Sequence, residues 1–495
     1  MARPLTRLVT RLVTRLWIRQ ESVRWTSVLQ DGTRQITVGD TDHLMSAERA
    51  VLWFRRDLRL ADNPALLAAA ADGREVAPLF VIDPAFERSG AARRAYMAAA
   101  LSSLDDSMHR SLVYRHGDPV EVVAAFAAEV GARKVYVAKD FAPYGRARDA
   151  AVAERLRSVG GALVGVGSPY AVEPGTVLKG DGSPYAVFTP FSKAWRSIGW
   201  AAPTAAPAVA WYGAPVVRCA SPPVVPRLPF DLPPIGERAA AERWSRFRQS
   251  FLDGYDDQRN MPGLDATSRL SADLRWGVVH PRQLLAELGD SRAHTVFGSE
   301  LGWREFYADV LHHRPSTSWE NLNPKMEIMA VDTDARARNR FEAWCAGLTG
   351  YPIVDAGMRQ LAASGWMHNR VRMIVASFLV KDLHLPWQWG ARWFMQQLID
   401  GDIASNNHGW QWTAGTGTDA APYFRIFNPT AQSERFDPDG DYIRRWVPEI
   451  AALATSAIHQ PGALRPDAYP PPIVDHAAER DEALARYKLV TASTR

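Results

Sequence analysis

Between Trp366 and Pro429 the chain carries an unusual density of tryptophan, asparagine, aspartate and arginine. In W-M-H-N-R-V-R-M (Trp366 to Met373), Asn369 stands three residues before Arg372 and four before Met373, so on a helix an amide, a guanidinium and a thioether share one face. Glu300, Trp303 and Arg304 have the same i, i+3, i+4 spacing and bring together a carboxylate, a flat ring and a cation. Each set has a plain structural counterpart, a capped helix end with a buried amide or a surface ion pair beside a core ring, and spacing alone does not choose between them. Tyr255 and T-S-R-L-S (Thr267, Ser268, Arg269, Leu270, Ser271) offer hydroxyls, a guanidinium and free N–H groups at a helix start, which can cradle a phosphate as readily as form an ordinary cap. Nine of the 18 tryptophans lie between Trp303 and Trp412. Every buried indole N–H needs a partner, so this many beside ionisable groups point to a pocket for a large flat ligand or to a path for electrons.

These groups need a scaffold. Short apolar runs at Ala50 to Phe54, Val76 to Ile82, Leu112 to Arg115, Lys134 to Ala138 and Ala162 to Val166 alternate with Ala-rich helical stretches at Pro64 to Ala71, Ala91 to Met108, Pro119 to Val130 and Arg146 to Val159. That alternation predicts a parallel, doubly wound α/β sheet, with ligands beyond the carboxyl ends of its strands. No G-x-G-x-x-G follows the first strand, so a nicotinamide dinucleotide is not indicated. From Tyr170 to Gly236, Pro, Gly and Ala mark an irregular linker, and after Glu237 helical periods dominate. Leu361 to Leu383 reads as one helix with Ile374, Val375, Phe378 and Leu379 as its buried stripe. The expected domains are therefore an α/β unit over 46–172, a linker over 173–236 and an all-α unit over 237–490.

A hydrophobic share of 47% against 23% charged fits a soluble globular protein, and at 495 residues more than one core is expected. Arg outnumbers Lys 51 to 7, which suits bidentate phosphate contacts but is equally the mark of a biased base composition. Two cysteines, Cys219 and Cys345, exclude a disulfide scaffold and fit a reducing, cytoplasmic setting, and no apolar run reaches a membrane span. No metal site is expected. Residues 1–45 place Arg3, Arg7, Arg11, Arg15 and Arg19 along a drifting stripe. A basic amphipathic helix could touch a membrane surface or DNA, but Met45 stands just before the first strand, so the expectation is a disordered extension or a mis-assigned start.

Three stretches carry a resemblance to a known family: W-M-H-N-R-V-R-M, D-G-D-x-A-x-N-N-x-G-W-Q-W (Asp400 to Trp412) and T-G-T-D-A-A-P-Y-F-R-I-F-N-P (ending at Pro429). They resemble the FAD-binding core of the photolyase/cryptochrome family, and within it the class I cyclobutane pyrimidine dimer photolyases. The resemblance covers roughly Arg49 to Tyr487 and implies an N-terminal antenna domain and a C-terminal helical FAD domain. It implies light-driven repair of pyrimidine dimers in double- or single-stranded ultraviolet-damaged DNA by a monomer, with the dimer flipped out of the helix. Photolyases as a class are base-flipping enzymes, so that step is carried over from the family.

What the resemblance implies for single residues follows. Glu300 hydrogen-bonds a pyrimidine carbonyl, Trp303 and Trp412 form the aromatic walls around the lesion, Asn369 bonds its second edge and Met373 packs against it. Tyr255, Thr267, Ser268, Arg269, Leu270 and Ser271 hold the FAD pyrophosphate, with Phe297 and Arg304 in the cofactor shell. Arg372 and Asp400 pair beside the isoalloxazine, Asp402 contacts the flavin ring or ribose, and Asn406 faces flavin N5. An amide there can accept the N5–H of reduced FADH⁻, whereas an Asp donates only when protonated. Arg370 and Arg425 are candidate phosphate contacts on the rim. Trp410 and Trp387 match the inner members of the family's electron-transfer chain. The third member does not align, because Asp334 stands at its place; Trp344 is the expected outer member, reached through another helix. His408 and Phe297 also depart from common family residues, Gly and Trp.

K-D-F-A-P-Y-G-R-A-R-D (Lys139 to Asp149) resembles the antenna segment. Its Tyr144-Gly145 form implies 8-hydroxy-5-deazaflavin rather than methenyltetrahydrofolate. Two rival readings are a cryptochrome photoreceptor and a (6-4) photolyase. Glu300, Asn369, Met373 and Asn406 speak against the first. The second carries a His pair where this chain has Asn369 and Met373, and His368 would point off that face.

Overall fold

The computed structural model describes residues 49–73, 75–212, 221–418 and 425–493. The basic stripe of 1–45 and positions 419–424 of the last motif lie outside them. Five strands, β1 (Arg49–Phe54), β2 (Glu75–Ile82), β3 (Val113–His116), β4 (Lys134–Val137) and β5 (Ala162–Gly165), form one parallel sheet in the order β3-β2-β1-β4-β5. Each lies within a residue or two of its expected span. β1 is buried from Ala50 onward, as a continuous apolar run must be when helices cover both faces of its sheet.

The crossover helices are α1 (Pro64–Asp72), α2 (Ala91–Ser107), α3 (Pro119–Glu129) and α4 (Pro143–Ser158). Their starts are written locally. Asn63 and Asp118 accept from the N–H of Leu66 and Val120 at 3.2 and 2.9 Å, and a proline at the first helical position needs no partner for its nitrogen. Strand order reverses between β1 and β4. The crevice beyond their carboxyl ends is therefore the place where such sheets hold ligands, and there it contains Arg55, Arg56 and Asp140.

The linker is partly ordered. It contains α5 (Phe188–Ile198), whose Trp195 is fully buried, and Trp211 bridges Val76 beside β2. The helical half is not a separate body resting on the sheet. Leu52, Phe54 and Tyr96 belong to the same apolar core as Trp244, Trp276 and Phe297, and the Tyr96 hydroxyl donates to Asp273 at 2.7 Å.

Seven further helices matter for the site: α6 (Arg292–His313), α7 (Ala335–Ala346), α8 (Pro352–Ser364), α9 (Asn369–Ser377), α10 (Trp387–Gln397), α11 (Ile403–Ala414) and α12 (His476–Ser493). The single helix expected over Leu361 to Leu383 is a misreading. α8 stops at Ser364 because Gly365 takes a left-handed conformation with φ 63°, and a Cβ there would meet the Phe230 ring at 2.7 Å. The His368 side chain then accepts from Arg370 N at 3.2 Å and starts α9, which runs on into a π-helical turn at Phe378–Asp382. The stripe Ile374, Val375, Phe378 and Leu379 is buried, as its periodicity requires.

Candidate active site

α6, α9 and α11 converge on a cavity of about 480 Å³. The spacing argument of the sequence holds in space. α6 presents Phe297, Glu300, Trp303 and Arg304 to the cavity, α9 presents Asn369, Arg370, Arg372 and Met373, and the segment through α11 presents Asp400, Asp402, Asn406, Trp410 and Trp412. Tyr255, Ser268 and Ser271 complete the wall.

The charges at the floor are paired. Arg372 grips Asp400 through both terminal nitrogens at 3.2 and 2.8 Å and donates from Nε to Met367 O at 2.8 Å. Such a bidentate pair holds a guanidinium plane in one orientation. Arg304 donates to Pro169 O and Leu274 O at 2.9 and 3.1 Å and lies over the Tyr170 ring. Arg275, also on the wall, keeps one terminal nitrogen buried and without a hydrogen-bond partner. A buried donor left over at a cavity is what an anionic or carbonyl-bearing ligand would satisfy. Asn406 donates from Nδ2 to Ala391 O at 3.1 Å and to Asn407 Oδ1 at 2.8 Å. With both N–H groups engaged by protein, its carbonyl is left to accept from a donor in the cavity.

Asp402 ties the cavity to the sheet lobe. Its Oδ1 accepts from Ala404 N and Ser405 N, both at 3.1 Å, capping α11, while Oδ2 takes Arg56 of the sheet lobe at 2.7 Å. Burial opposes its ionisation, but Arg56, Arg275 and Arg304 together outweigh burial and hold the carboxyl well below the usual range. Arg56 also lies 3.9 Å from Asp140, so charge is continuous from the switch-point crevice to the cavity.

At the mouth, Glu300 forms an ion pair with Arg259, and Arg370 is held by Asn260 at 2.8 Å and lies over Phe436. Burial, with Arg259 and Arg435 nearby, lowers Arg370 to about 10. Trp303 stacks on Phe188 with centroids 3.8 Å apart, and exposed Arg425 sits over Trp412 at 5.8 Å. Arg259, Asn260, Tyr307 and Ser405 also line the cavity and were not singled out from the sequence. Spacing gave a signal for Arg259, four residues after Tyr255, and for Tyr307, four residues after Trp303.

Some expected positions fall elsewhere. In the segment expected to cradle phosphate, Arg269 turns outward to Asp265 at 2.8 Å and stacks on Trp366, Leu270 joins the core, and Thr267 is not on the wall. His368 is buried beneath α9, and burial plus Arg269, Arg370 and Arg372 lowers it to about 3, so it is neutral and off the cavity face. His408 lies behind the wall, stacked on Tyr307 with centroids 5.8 Å apart.

The aromatic chain is arranged differently from the expectation. Trp344 is not an exposed member beyond Trp387. It is fully buried, beside Trp410 with centroids 6.1 Å apart, and donates to Val375 O at 3.0 Å. It cannot meet solvent, because its helix faces inward there and Asp334 merely caps the start of that helix, accepting from Ala337 N at 2.8 Å. Half-buried Trp389 follows through Phe341, at 5.8 and then 5.4 Å between centroids. Trp410 also packs on α10 at Gly390, one turn after Trp387.

Comparison with known proteins agrees with this geometry. Residues 50–209 match the family model of DNA photolyase, and residues 297–489 match that of the FAD binding domain of DNA photolyase. The chain is 40% identical to a deoxyribodipyrimidine photo-lyase of Escherichia coli, over 88% of this chain and 98% of that protein. It is 37% identical to one of Agrobacterium fabrum, over 90% of this chain and 98% of that protein. It superposes on the crystal structure of a class III photolyase from Agrobacterium tumefaciens with TM-score 0.84 and 35% identity, covering 92% of this chain and all of that one. A Synechocystis cryptochrome superposes with TM-score 0.82 and 28% identity, covering 89% of this chain and 100% of that one.

Proposed function

The chain belongs to the DNA photolyase family, and from that premise we propose that it is a deoxyribodipyrimidine photolyase, which restores cyclobutane pyrimidine dimers in ultraviolet-damaged DNA under blue light. A cryptochrome shares the fold, so the choice rests on the cavity. The observation that carries the repair reading is one wall holding two kinds of group. Arg372–Asp400 and the free Asn406 carbonyl line it together with Glu300, Asn369, Met373, Trp303 and Trp412. The first set suits a reduced flavin, the second a pair of stacked bases.

The chemistry of the cavity suits FAD: a leftover buried donor on Arg275, serine hydroxyls for phosphate and a fixed guanidinium–carboxylate pair. When bound and reduced, FAD supplies the light-driven electron that opens the cyclobutane ring and receives it back. The protein's part is binding and orientation. Glu300 and Asn369 would offer hydrogen bonds to the base edges, Met373 and the two tryptophans would exclude water, and the Asn406 carbonyl would accept from a ring N–H of the reduced cofactor. Arg425 and the Arg259–Arg370 rim meet phosphates, which gives salt-dependent binding without sequence preference. Trp410, with Trp344 against it and the Trp387 helix beneath it, would carry electrons to the cofactor and so keep it reduced.

For the antenna we infer 8-hydroxy-5-deazaflavin. Tyr144 is exposed at the start of α4, beside the switch point, with its hydroxyl on Asp83. Protein purified from a deazaflavin-making host should carry that chromophore, and stoichiometric folate instead would reject the assignment. No helix among the described residues is long and apolar enough to cross a membrane; we place the protein, as a monomer, in the cytoplasm with DNA.

The decisive experiment is repair of oligonucleotides with one defined lesion by purified, chemically reduced protein under blue light. Thymine dimers should be restored and (6-4) products left intact. Repair of the (6-4) product alone, or of neither lesion, overturns the reading.

A further inference from the structure

A second cleft, of about 130 Å³, lies where the 321–331 loop, the π-helical turn, the start of α10, the end of α11 and α12 meet. The Trp387 ring forms one wall, and Met326, Met329, Val331 and Leu385 supply apolar surface. Trp387 is held by its indole N–H, which donates to Asn321 Oδ1 at 2.8 Å. The charged neighbours have contacts of their own, and Glu327 at the rim accepts from Asn321 N at 3.1 Å. Arg486 pairs with Asp332 and Glu482 at 2.8 and 2.7 Å, His384 with Glu479 at 2.8 Å, and Lys381 Nζ donates to Ala414 O at 2.7 Å. One polar atom is left over: Thr416 lines the cleft, is 6% exposed, and its hydroxyl oxygen has no hydrogen-bond partner.

From these features we infer that the cleft binds a small neutral phenol, which donates electrons to Trp387. A volume near that of the dry protein cavity of ~150 Å³ that takes benzene admits a single aromatic ring. The indole ring and the four apolar side chains favour an uncharged guest, and the unpartnered Thr416 hydroxyl calls for one hydroxyl on that ring. The place gives the guest its role. Trp410 packs on Gly390, one helical turn after Trp387 on α10, and the position expected for an outer tryptophan is Asp334, which is a helix cap. A donor in the cleft takes the place of that missing member.

The step balances. The oxidant is flavin excited by light, and it leaves the electron vacancy on Trp387 as an indole radical cation. The phenol gives one electron to that radical cation and its hydroxyl proton to solvent, yielding neutral indole and a phenoxyl radical. This rests on the proposed role of Trp410 and Trp387, and the experiment separates the two.

Para-fluorophenol is titrated into the flavin-loaded protein in the dark and followed by fluorine NMR, and the rate of flavin photoreduction is measured over the same concentrations. Binding should saturate, and the photoreduction rate should saturate with it. Thr416→Val should weaken binding about two- to ten-fold through loss of one hydrogen bond. Ala483→Leu, which fills the cleft from α12, should abolish both effects while chemically reduced protein still repairs dimers at the wild-type rate. Trp387→Phe should keep the binding and lose the acceleration. Absence of saturable binding, or an acceleration that rises linearly and survives Ala483→Leu, overturns the site. Binding without acceleration overturns the donor role. If Trp410→Phe photoreduces normally with phenol present, the electron route itself fails and the binding result still stands alone.

Discussion

Gly390→Ala tests whether the packing of Trp410 on α10 is what the electron route depends on. A Cβ at Gly390 would lie 2.6 Å from Cζ2 and Cζ3 of Trp410 and closer still to Cη2. Ordinary carbon contacts begin near ~3.5 Å, so the ring or the helix must move by more than about 1 Å to clear the nearest atom. The ring has little room, since Phe394 and Trp344 sit at 5.1 and 6.1 Å between centroids and Trp410 is 3% exposed. Overpacking of this kind costs ~1–3 kcal/mol, and the confined site points to the upper end. Replacing glycine in a helix returns ~1 kcal/mol. The expected net loss is therefore about 2 kcal/mol, read as a lower urea midpoint with unchanged slope for the flavin-free protein. Photoreduction should slow as well, because the route from Trp410 towards Trp387 crosses this contact. A variant as stable as the parent, with unchanged photoreduction, would falsify the packing argument.

Gly409→Ala is the contrasting case: a Cβ there meets nothing within 4 Å, and the residue lines the large cavity. The flavin-free protein should gain up to ~1 kcal/mol from helix propensity, while FAD affinity falls; a loss of stability without FAD would mean that the space is not open. Glu300→Ala should reduce dimer repair roughly ten- to hundred-fold, as expected for loss of a charged hydrogen bond, while FAD stays bound by absorbance. Its ion pair with Arg259 makes Glu300→Gln the milder change. Glu305 accepts from Ala171 N, Val172 N and the Trp195 indole, yet burial outweighs these bonds and Arg304 and raises it to about 7. With a folded value above the unfolded one of ~4.5, its contribution is complete below about pH 4.5 and is lost as pH rises through 7, by roughly 3 kcal/mol. Urea midpoints from pH 5 to 8 should fall more steeply for the wild type than for Glu305→Gln, and equal slopes would contradict the assignment. Trp344→Phe should shorten the flavin–tryptophan radical pair in transient absorption if its contact with Trp410 carries charge, and an unchanged lifetime confines the route to Trp387.

Much of the sheet lobe was legible because its signals are local. β1 is an unbroken apolar run, Asn63-Pro64 and Asp118-Pro119 announce helix starts, and alternation of strand and helix dictates a parallel order. The cavity was legible for the same reason: i, i+3 and i+4 spacing on α6 and α9 is a one-dimensional record of a shared face, so Glu300, Trp303, Arg304, Asn369, Arg372 and Met373 meet where that record says. Tertiary structure decided what depends on contact between distant segments. Gly365 breaks a helix whose apolar period runs straight through it, because Phe230 occupies the space that a side chain would need. Trp344 turns inward to Trp410, although its place near an expected surface step suggested an exit. Arg269 turns away from the expected phosphate cradle to Asp265, and Asp402 gives its second oxygen to Arg56, 346 residues away in the chain. Helix period and capping are properties of a few neighbouring residues, and the sequence writes them down. Which charge finds which partner, and which ring faces water, is settled only when two lobes close over one core.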